Sequence, residues 1–275
     1  MIRHPLRPVT PDEIAAYERD GVVLLTGMFD RDWIDFLAEA VERAMAAPGP
    51  LAEEYESKEG GGRFFGDLDL WQRHESFRRF VFDSPAAEIA AQAMRASRVH
   101  FFYDQLLVKE PGTAARTPWH QDQPYWAVAG RQVCSIWLPL DPVDAETSVQ
   151  YVRGSHVWNR AFAPRHFSDG TPYRGRDLEP LPDIDADPSA YDIARFALEP
   201  GDCLLFQAMI VHGAPGNASG RRRRALATRW TGDDARYAVP EGEVAIPTSD
   251  PGLRNGDPIG GPLFPRAWPR PDLDR

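Results

Sequence analysis

"TPWHQDQPYW", residues 117–126, sets a histidine and an aspartate two positions apart, His120 and Asp122, among prolines and aromatic residues. On an extended strand, residues two apart point to the same side. The imidazole and the carboxylate can therefore face one point. From the residues alone two readings stand: a polar surface pair at a strand end, or two arms of a metal site whose third arm lies elsewhere. His212, in "MIVHGAPGN" (209–217), is the best third candidate. It follows the apolar run "CLLFQAMIV" (203–211) and precedes a Gly/Pro turn, which puts it near a strand end. The other histidines serve as controls. His4 and His74 lie in polar surroundings, His100 lies mid-strand, His156 in a turn and His166 in a long loop.

The surroundings of this stretch read as strands. "VHFFYDQLLVK" (99–109), "QVCSIWLPL" (132–140), "SVQYV" (148–152), "RFALE" (195–199), "DCLLF" (202–206) and "ALATRW" (225–230) are short and rich in β-formers, with turn signals between them. That pattern predicts a sandwich or barrel. Helices precede them. Thr10, Pro11 and Glu13 form a helix start with a capping box, and Gly21 ends that helix. "VVLLTG" (22–27) is a strand candidate. From 30 or 32 to 47, Trp33, Ile34, Leu37, Val41, Ala44 and Met45 recur at helical spacing. Another helix is expected from 84 or 85 to 96. Residues 51–70, polar and carrying Gly60, Gly61 and Gly62, suit a mobile lid. Residues 154–193 read as a Pro-rich insertion, and 240–275 as a tail with little regular structure. Helices followed by strands predict an α+β chain with a mainly β core, in a single domain over 1–275.

The formal net charge is -10, from 31 basic and 41 acidic residues. That argues against a nucleic-acid surface, which needs a basic stripe. The two cysteines, Cys134 and Cys203, sit singly in apolar runs, so a reducing compartment is the simpler expectation. No apolar run nears the ~20 residues of a membrane span, and the N-terminal residues lack a signal-peptide core. A soluble, cytoplasmic protein with no membrane partner is expected; the oligomeric state is not legible.

Two histidines and a carboxylate on one face of a metal leave three positions open, the arrangement of non-haem Fe(II) oxygenases. Structural zinc would close its shell with four protein ligands, usually including cysteine. Arg223, eleven residues after His212 in a run of four arginines, bears on the choice. If His212 ends one strand and Arg223 begins the next, the two can meet across the sheet. A 2-oxoglutarate cosubstrate chelating the metal needs a cation for its far carboxylate, and arginine supplies a two-pronged one. The bland alternative is a solvated turn.

"DQLLVKEPGTAARTPWHQDQPYW" (104–126), "VCSIWLPLDPV" (133–143), "VRGSH" (152–156), "VHGAPGN" (211–217) and "RRALATRW" (223–230) together resemble the phytanoyl-CoA dioxygenase family of Fe(II)/2-oxoglutarate oxygenases. The resemblance runs in order over about residues 10–240. It implies a double-stranded β-helix, a jelly-roll or cupin-like barrel, with supporting N-terminal helices. It also implies iron ligands at His120, Asp122 and His212, a 2-oxoglutarate salt bridge at Arg223, and dioxygen as oxidant. Gln105, Ser135 and Trp137 are further candidates for the cosubstrate cavity; Trp126 and Tyr103 are candidates for substrate contact. Each has an alternative as core packing. Ala214 stands where the family often has serine. Halogenating relatives replace the carboxylate ligand; Asp122 is present, so the implied reaction is hydroxylation of an aliphatic C–H of a small molecule, releasing succinate and CO2. Desaturation, epoxidation or cyclisation at the same centre, and a cupin-like binder without turnover, remain alternatives.

Overall fold

A computed structural model describes residues 1–55, 61–167 and 169–270. Five α-helices occur among them: α1 (Pro11–Asp20), α2 (Arg31–Ala46), α3 (Leu70–Arg73), α4 (Glu75–Asp83) and α5 (Ala86–Met94). The start of α1 is the anticipated box. Thr10 Oγ1 accepts from the Glu13 amide at 3.2 Å, and the Glu13 carboxylate accepts from the Thr10 amide at 2.8 Å. Gly21 stops the helix at φ +78, a left-handed conformation that costs glycine little. Asp30 caps α2. The short pair α3 and α4 lies where no helix was anticipated.

The strands in chain order begin with β1 (Val22–Leu25), β2 (Glu53–Glu54), β3 (Phe64–Leu68), β4 (Val99–Lys109) and β5 (Thr117–His120). Next come β6 (Val128–Ala129), β7 (Val133–Pro139), β8 (Gln150–Val152), β9 (Ile193–Ala194) and β10 (Cys203–Gln207). The last are β11 (His212–Ala214), β12 (Arg223–Thr231), β13 (Arg236–Tyr237) and β14 (Arg266–Trp268). One antiparallel sheet runs β1-β10-β7-β12-β4-β3-β2, with β14 also on β4; a second runs β5-β11-β8-β9. The two sheets are not joined into a closed barrel. This is the jelly-roll core that the resemblance implied, within the sandwich-or-barrel class read from the strand pattern, with the helices on the outer face of the larger sheet.

Alternation along the central strands sets the two faces. On β12, Leu226 and Trp230 join Trp33, Leu37, Phe80 and Ile89 in the helix-side core. Ala225 and Ala227 face inward with Trp137, Leu204 and Phe206. On β4 the ladder steps from Arg229–Tyr103 to Trp230–Phe101, leaving Phe102 as an extra residue. That bulge lets both Phe101 and Leu106 reach the helix side.

Three expectations need correction. Residues 195–199 form no strand; the strand is Ile193–Ala194, and Leu198 makes only an isolated bridge to Val143. The proposed lid, 51–70, contributes two strands to the larger sheet: β3 pairs with β4 over its full length, and Phe64 and Phe65 are buried. Two adjacent aromatics on a strand with core on both sides outweigh the glycines. Residues 56–60 of that segment lie outside the described residues. Lastly, His120 and Asp122 do not share a strand face: β5 ends at His120, and Asp122 has helical dihedrals, φ -70 and ψ -49, at the start of a 3-10 turn.

Candidate metal and cosubstrate site

The smaller sheet places the histidines. His120, last in β5, pairs directly with His212, first in β11. Gly213 permits this closeness, since a Cβ there would stand 3.1–3.3 Å from the backbone of Thr117, Pro118 and Trp119. His120 Nδ1 donates to Pro118 O at 2.8 Å, and His212 Nδ1 donates to Ile210 O at 3.1 Å. A carbonyl only accepts, so each Nδ1 carries a hydrogen, which leaves Nε2 as the nitrogen that can bind a metal. Asp122 Oδ1 lies 3.4 Å from His120 Nε2 and 3.8 Å from His212 Nε2. The three ligand atoms lie within 4.8 Å of one another and could hold one metal ion.

The glutamines of "HQDQ" make this turn rigid. Gln121 donates to Arg160 O at 3.0 Å and Met209 O at 2.9 Å, and accepts from the Phe162 amide at 3.0 Å. Gln123 donates to Val128 O and Gly130 O. His120 and Asp122 thus turn inward because their neighbours are tied outward.

Electrostatically the site suits a dication. Burial raises the cost of the Asp122 charge, but the imidazoles and Arg229 outweigh it and hold the carboxyl well below its usual range. Burial, with His120 beside it, pushes His212 down to about 3, so it is a neutral ligand at neutral pH. Tyr151 stacks behind His212 at 5.7 Å and 19°.

The triad opens into a cavity of about 200 Å3 that also reaches Tyr103, Gln105, Trp126, Trp137 and Arg223. Ser135 stands behind it and donates to Asp122 Oδ2 at 3.2 Å. Gln105 Oε1 accepts from Arg229 Nη2 at 2.8 Å. Trp126 is 3% exposed and packs on Phe102 and Tyr103 as well as lining the cavity. Arg223 begins β12 in the larger sheet, so it faces His212 across the sandwich, not within one sheet. It is buried, donates to Thr147 O, and has no carboxylate partner among the described residues. Burial pushes it down to about 10. Its neighbours behave differently: Arg221 meets Asp144 at the surface, and Arg224 grips Asp141 at 3.0 and 2.7 Å.

Four groups were not read from the sequence. Lys109, opposite Arg223 on β4, is fully buried, donates to Pro215 O at 2.7 Å and lies over Phe64. Burial pushes its ammonium well below the usual value. Arg229 sits against Asp122. The supposed insertion supplies Phe167, 4.8 Å from the His120 ring, and His166 stacked on Tyr173 at 4.3 Å. The inward alternation from Arg223 to Arg229 was a usable signal; nothing in the loop's composition marked Phe167.

Residues 17–225 match the family model described as Phytanoyl-CoA dioxygenase (PhyH). The chain belongs to the phytanoyl-CoA dioxygenase family. It is 24% identical over 240 residues to the "Multifunctional dioxygenase prhA" of Penicillium brasilianum, covering 82% of this chain and 73% of that one. The fold is similar to the alpha ketoglutarate dependent carbocyclase SnoK of nogalamycin biosynthesis, with TM-score 0.73, 23% identity and coverage of 94% and 96%. It is also similar to the epimerase SnoN in complex with Fe3+, alpha ketoglutarate and nogalamycin RO, with TM-score 0.72, 22% identity and coverage of 93% and 97%. As a phytanoyl-CoA dioxygenase family member the chain is an oxidoreductase of the dioxygenase class. The donor set fits an iron ion: two imidazoles and one carboxylate in a buried pocket.

Proposed function

We propose that the chain, as one domain over residues 1–275, hydroxylates an aliphatic C–H of a largely apolar small molecule, converting 2-oxoglutarate and O2 to succinate and CO2. The observation that carries this is a buried guanidinium, Arg223, with Lys109 buried beside it and no carboxylate partner for either among the described residues, next to a pocket that holds a His-Asp-His cluster. A buried charge without a partner is costly, and a dicarboxylate bound at the metal would supply one. His120, Asp122 and His212 would hold the iron. Arg223 would take the far carboxylate, with Lys109 beside it and Trp137 as a wall. Bound iron supplies activation of dioxygen at the positions the protein leaves open. The protein's part is to hold the substrate and keep water out.

On the substrate side the walls are aromatic: Tyr55, Phe64, Tyr103, Tyr125, Trp126 and Phe167. Two polar groups near the triad present donors. Arg229 only donates, and Gln105 has already given its oxygen to Arg229, leaving its amide hydrogens free. The reading is therefore a ring-bearing or aliphatic substrate with an acceptor oxygen. No helix among the described residues is long and apolar enough to cross a membrane. The two unpaired buried cysteines fit a reducing, cytoplasmic setting.

Anaerobic protein reconstituted with Fe(II) and 2-oxoglutarate, then exposed to air, is expected to release succinate in an iron-dependent way. A substrate screen should then find a product heavier by one oxygen atom. If 2-oxoglutarate neither binds nor is consumed, the cupin-like binder without turnover is the better account. A second oxidative outcome, ring formation or epimerisation, is favoured by the names of SnoK and SnoN. A product of unchanged mass or lighter by two hydrogens would select it.

A further inference from the structure

The two oxygens of Asp122 stand in different surroundings. Oδ1 lies where both imidazoles converge, 3.4 Å and 3.8 Å from their Nε2 atoms. Oδ2 is turned away: Ser135 Oγ donates to it at 3.2 Å, and Arg229 Nε stands 4.0 Å from it. Arg229 is 4% exposed. Its Nη1 donates to Ala227 O at 3.1 Å, its Nη2 to Gln105 Oε1 at 2.8 Å, and its plane lies 4.6 Å over the Tyr103 ring. Those contacts fix the guanidinium. Its third nitrogen, Nε, has no hydrogen-bond partner and faces Asp122. The arrangement is built into the sheet, since Arg229 is the cross-strand partner of Ser135 on one side and Tyr103 on the other.

A carboxylate beside a metal can grip with one oxygen or two. With two, it would occupy one of the three positions that a facial triad leaves for cosubstrate and dioxygen. We propose that Arg229, together with Ser135, is a positioning residue that reserves Oδ2, so that Asp122 offers the metal Oδ1 alone and the third position stays open. The proposal rests on His120, Asp122 and His212 being the metal ligands. Arginine suits the task because its rigid, always charged fork holds a carboxylate in one orientation, which a lysine point charge does only in part. Contacts of this kind, one bond removed from the metal, orient ligands in metal sites generally.

The test uses the full chain, loaded anaerobically with Fe(II). Fe(II) affinity is measured by chelator competition. 2-Oxoglutarate affinity is read from the visible charge-transfer band of the Fe(II)–keto acid chelate. Infrared difference spectra, metal-bound minus apo, report the separation of the carboxylate stretches, which narrows when both oxygens bind. Arg229→Met should hold Fe(II) at least as tightly as the parent, weaken 2-oxoglutarate by about tenfold or more, and narrow the carboxylate separation. Arg229→Lys should recover part of both changes, and Ser135→Ala should move both in the same direction by less. Unchanged carboxylate separation in Arg229→Met overturns the proposal, because loss of the cation alone could weaken 2-oxoglutarate. Loss of Fe(II) binding in both Arg229 variants also overturns it, since Arg229 would then support the ligands' fold and not the choice of oxygen. Parent protein that takes up no Fe(II) would bring down the triad itself, a separate and recognisable failure.

Discussion

Arg221 to Arg224 place four identical side chains in four environments. Arg221 meets Asp144 at the surface, Arg222 meets Glu110 and Glu42, and Arg224 grips Asp141. Only Arg223 turns into the pocket without a carboxylate. Truncating one partner of a buried charge pair costs roughly 2–5 kcal/mol. Arg223→Ala should therefore raise the apparent KM for 2-oxoglutarate by roughly 30-fold or more, at about 1.4 kcal/mol per tenfold. Arg223→Lys should recover part of it, and Arg224→Ala should leave KM near the parent value. Steady-state succinate release measures all three; a large KM effect at Arg224 with none at Arg223 would refute the assignment. His120→Ala and His212→Ala should each abolish measurable Fe(II) binding by chelator competition, and retained binding removes that residue from the triad. At this scale the sequence was informative where chemistry is sparse. A His-x-Asp pair and one distal histidine stand out from five other histidines. Arg229 and Lys109 did not stand out, because buried and solvated cations look alike until the strand faces are known.

The turn after β5 shows how an element holds a site. Gln121 makes three hydrogen bonds that tie it to Arg160, Met209 and Phe162. Gln121→Leu keeps the volume but strands two carbonyls and an amide, each costing about 1–3 kcal/mol. It should lower Tm and weaken Fe(II) binding together, and metal affinity equal to the parent's would show that the clamp does not position the ligands. On the opposite face of β4, Asp104 is buried beside Asp69 and accepts from the Trp71 amide at 3.0 Å. Burial first, and the Asp69 charge second, push its carboxyl up to about 8. The folded state thus holds a proton that the unfolded chain has released above about 4. Stability from this group is full below about 4 and is lost as pH rises through about 8. Asp104→Asn should raise Tm at pH 8 more than at pH 5, as thermal melts at the two pH values will show; an equal change at both would contradict the shift. Helix caps and the longest strands were legible because capping and β-branched runs are local signals. β3 was missed because its glycine and aspartate hide a strand whose burial comes from its neighbour β4. The bulge at Phe102 depends on pairing with β12, which no local pattern contains.

Across the whole molecule, the two sheets divide the work. The smaller contributes both histidines, the larger contributes Arg223, Ser135 and Arg229, and the pocket exists because they face each other. Its outer wall comes from the segment that reads as an insertion, whose Phe167 and Tyr173 close over Tyr125 at 5.7 and 5.3 Å. Composition could not place this wall: its prolines and glycines read as loop, which is correct, but say nothing of where the loop lies. The division makes a prediction about specificity. Phe167 packs on the His120 ring at 4.8 Å, whereas Arg223 lies by Trp137 and Lys109 by Phe64. Phe167→Ala removes a large apolar surface from the substrate side; loss of a buried phenyl contact is worth roughly 1.5–3 kcal/mol by transfer. It should raise the substrate KM about tenfold or more while leaving 2-oxoglutarate affinity unchanged, and it should raise the succinate released per product, because a loosely held substrate leaves cosubstrate turnover uncoupled. Equal losses for substrate and 2-oxoglutarate would place Phe167 in the support of the metal site instead. Unchanged substrate KM would mean that the loop is a cover without a part in recognition, and the aromatic wall would then have to be sought on β3 and β4.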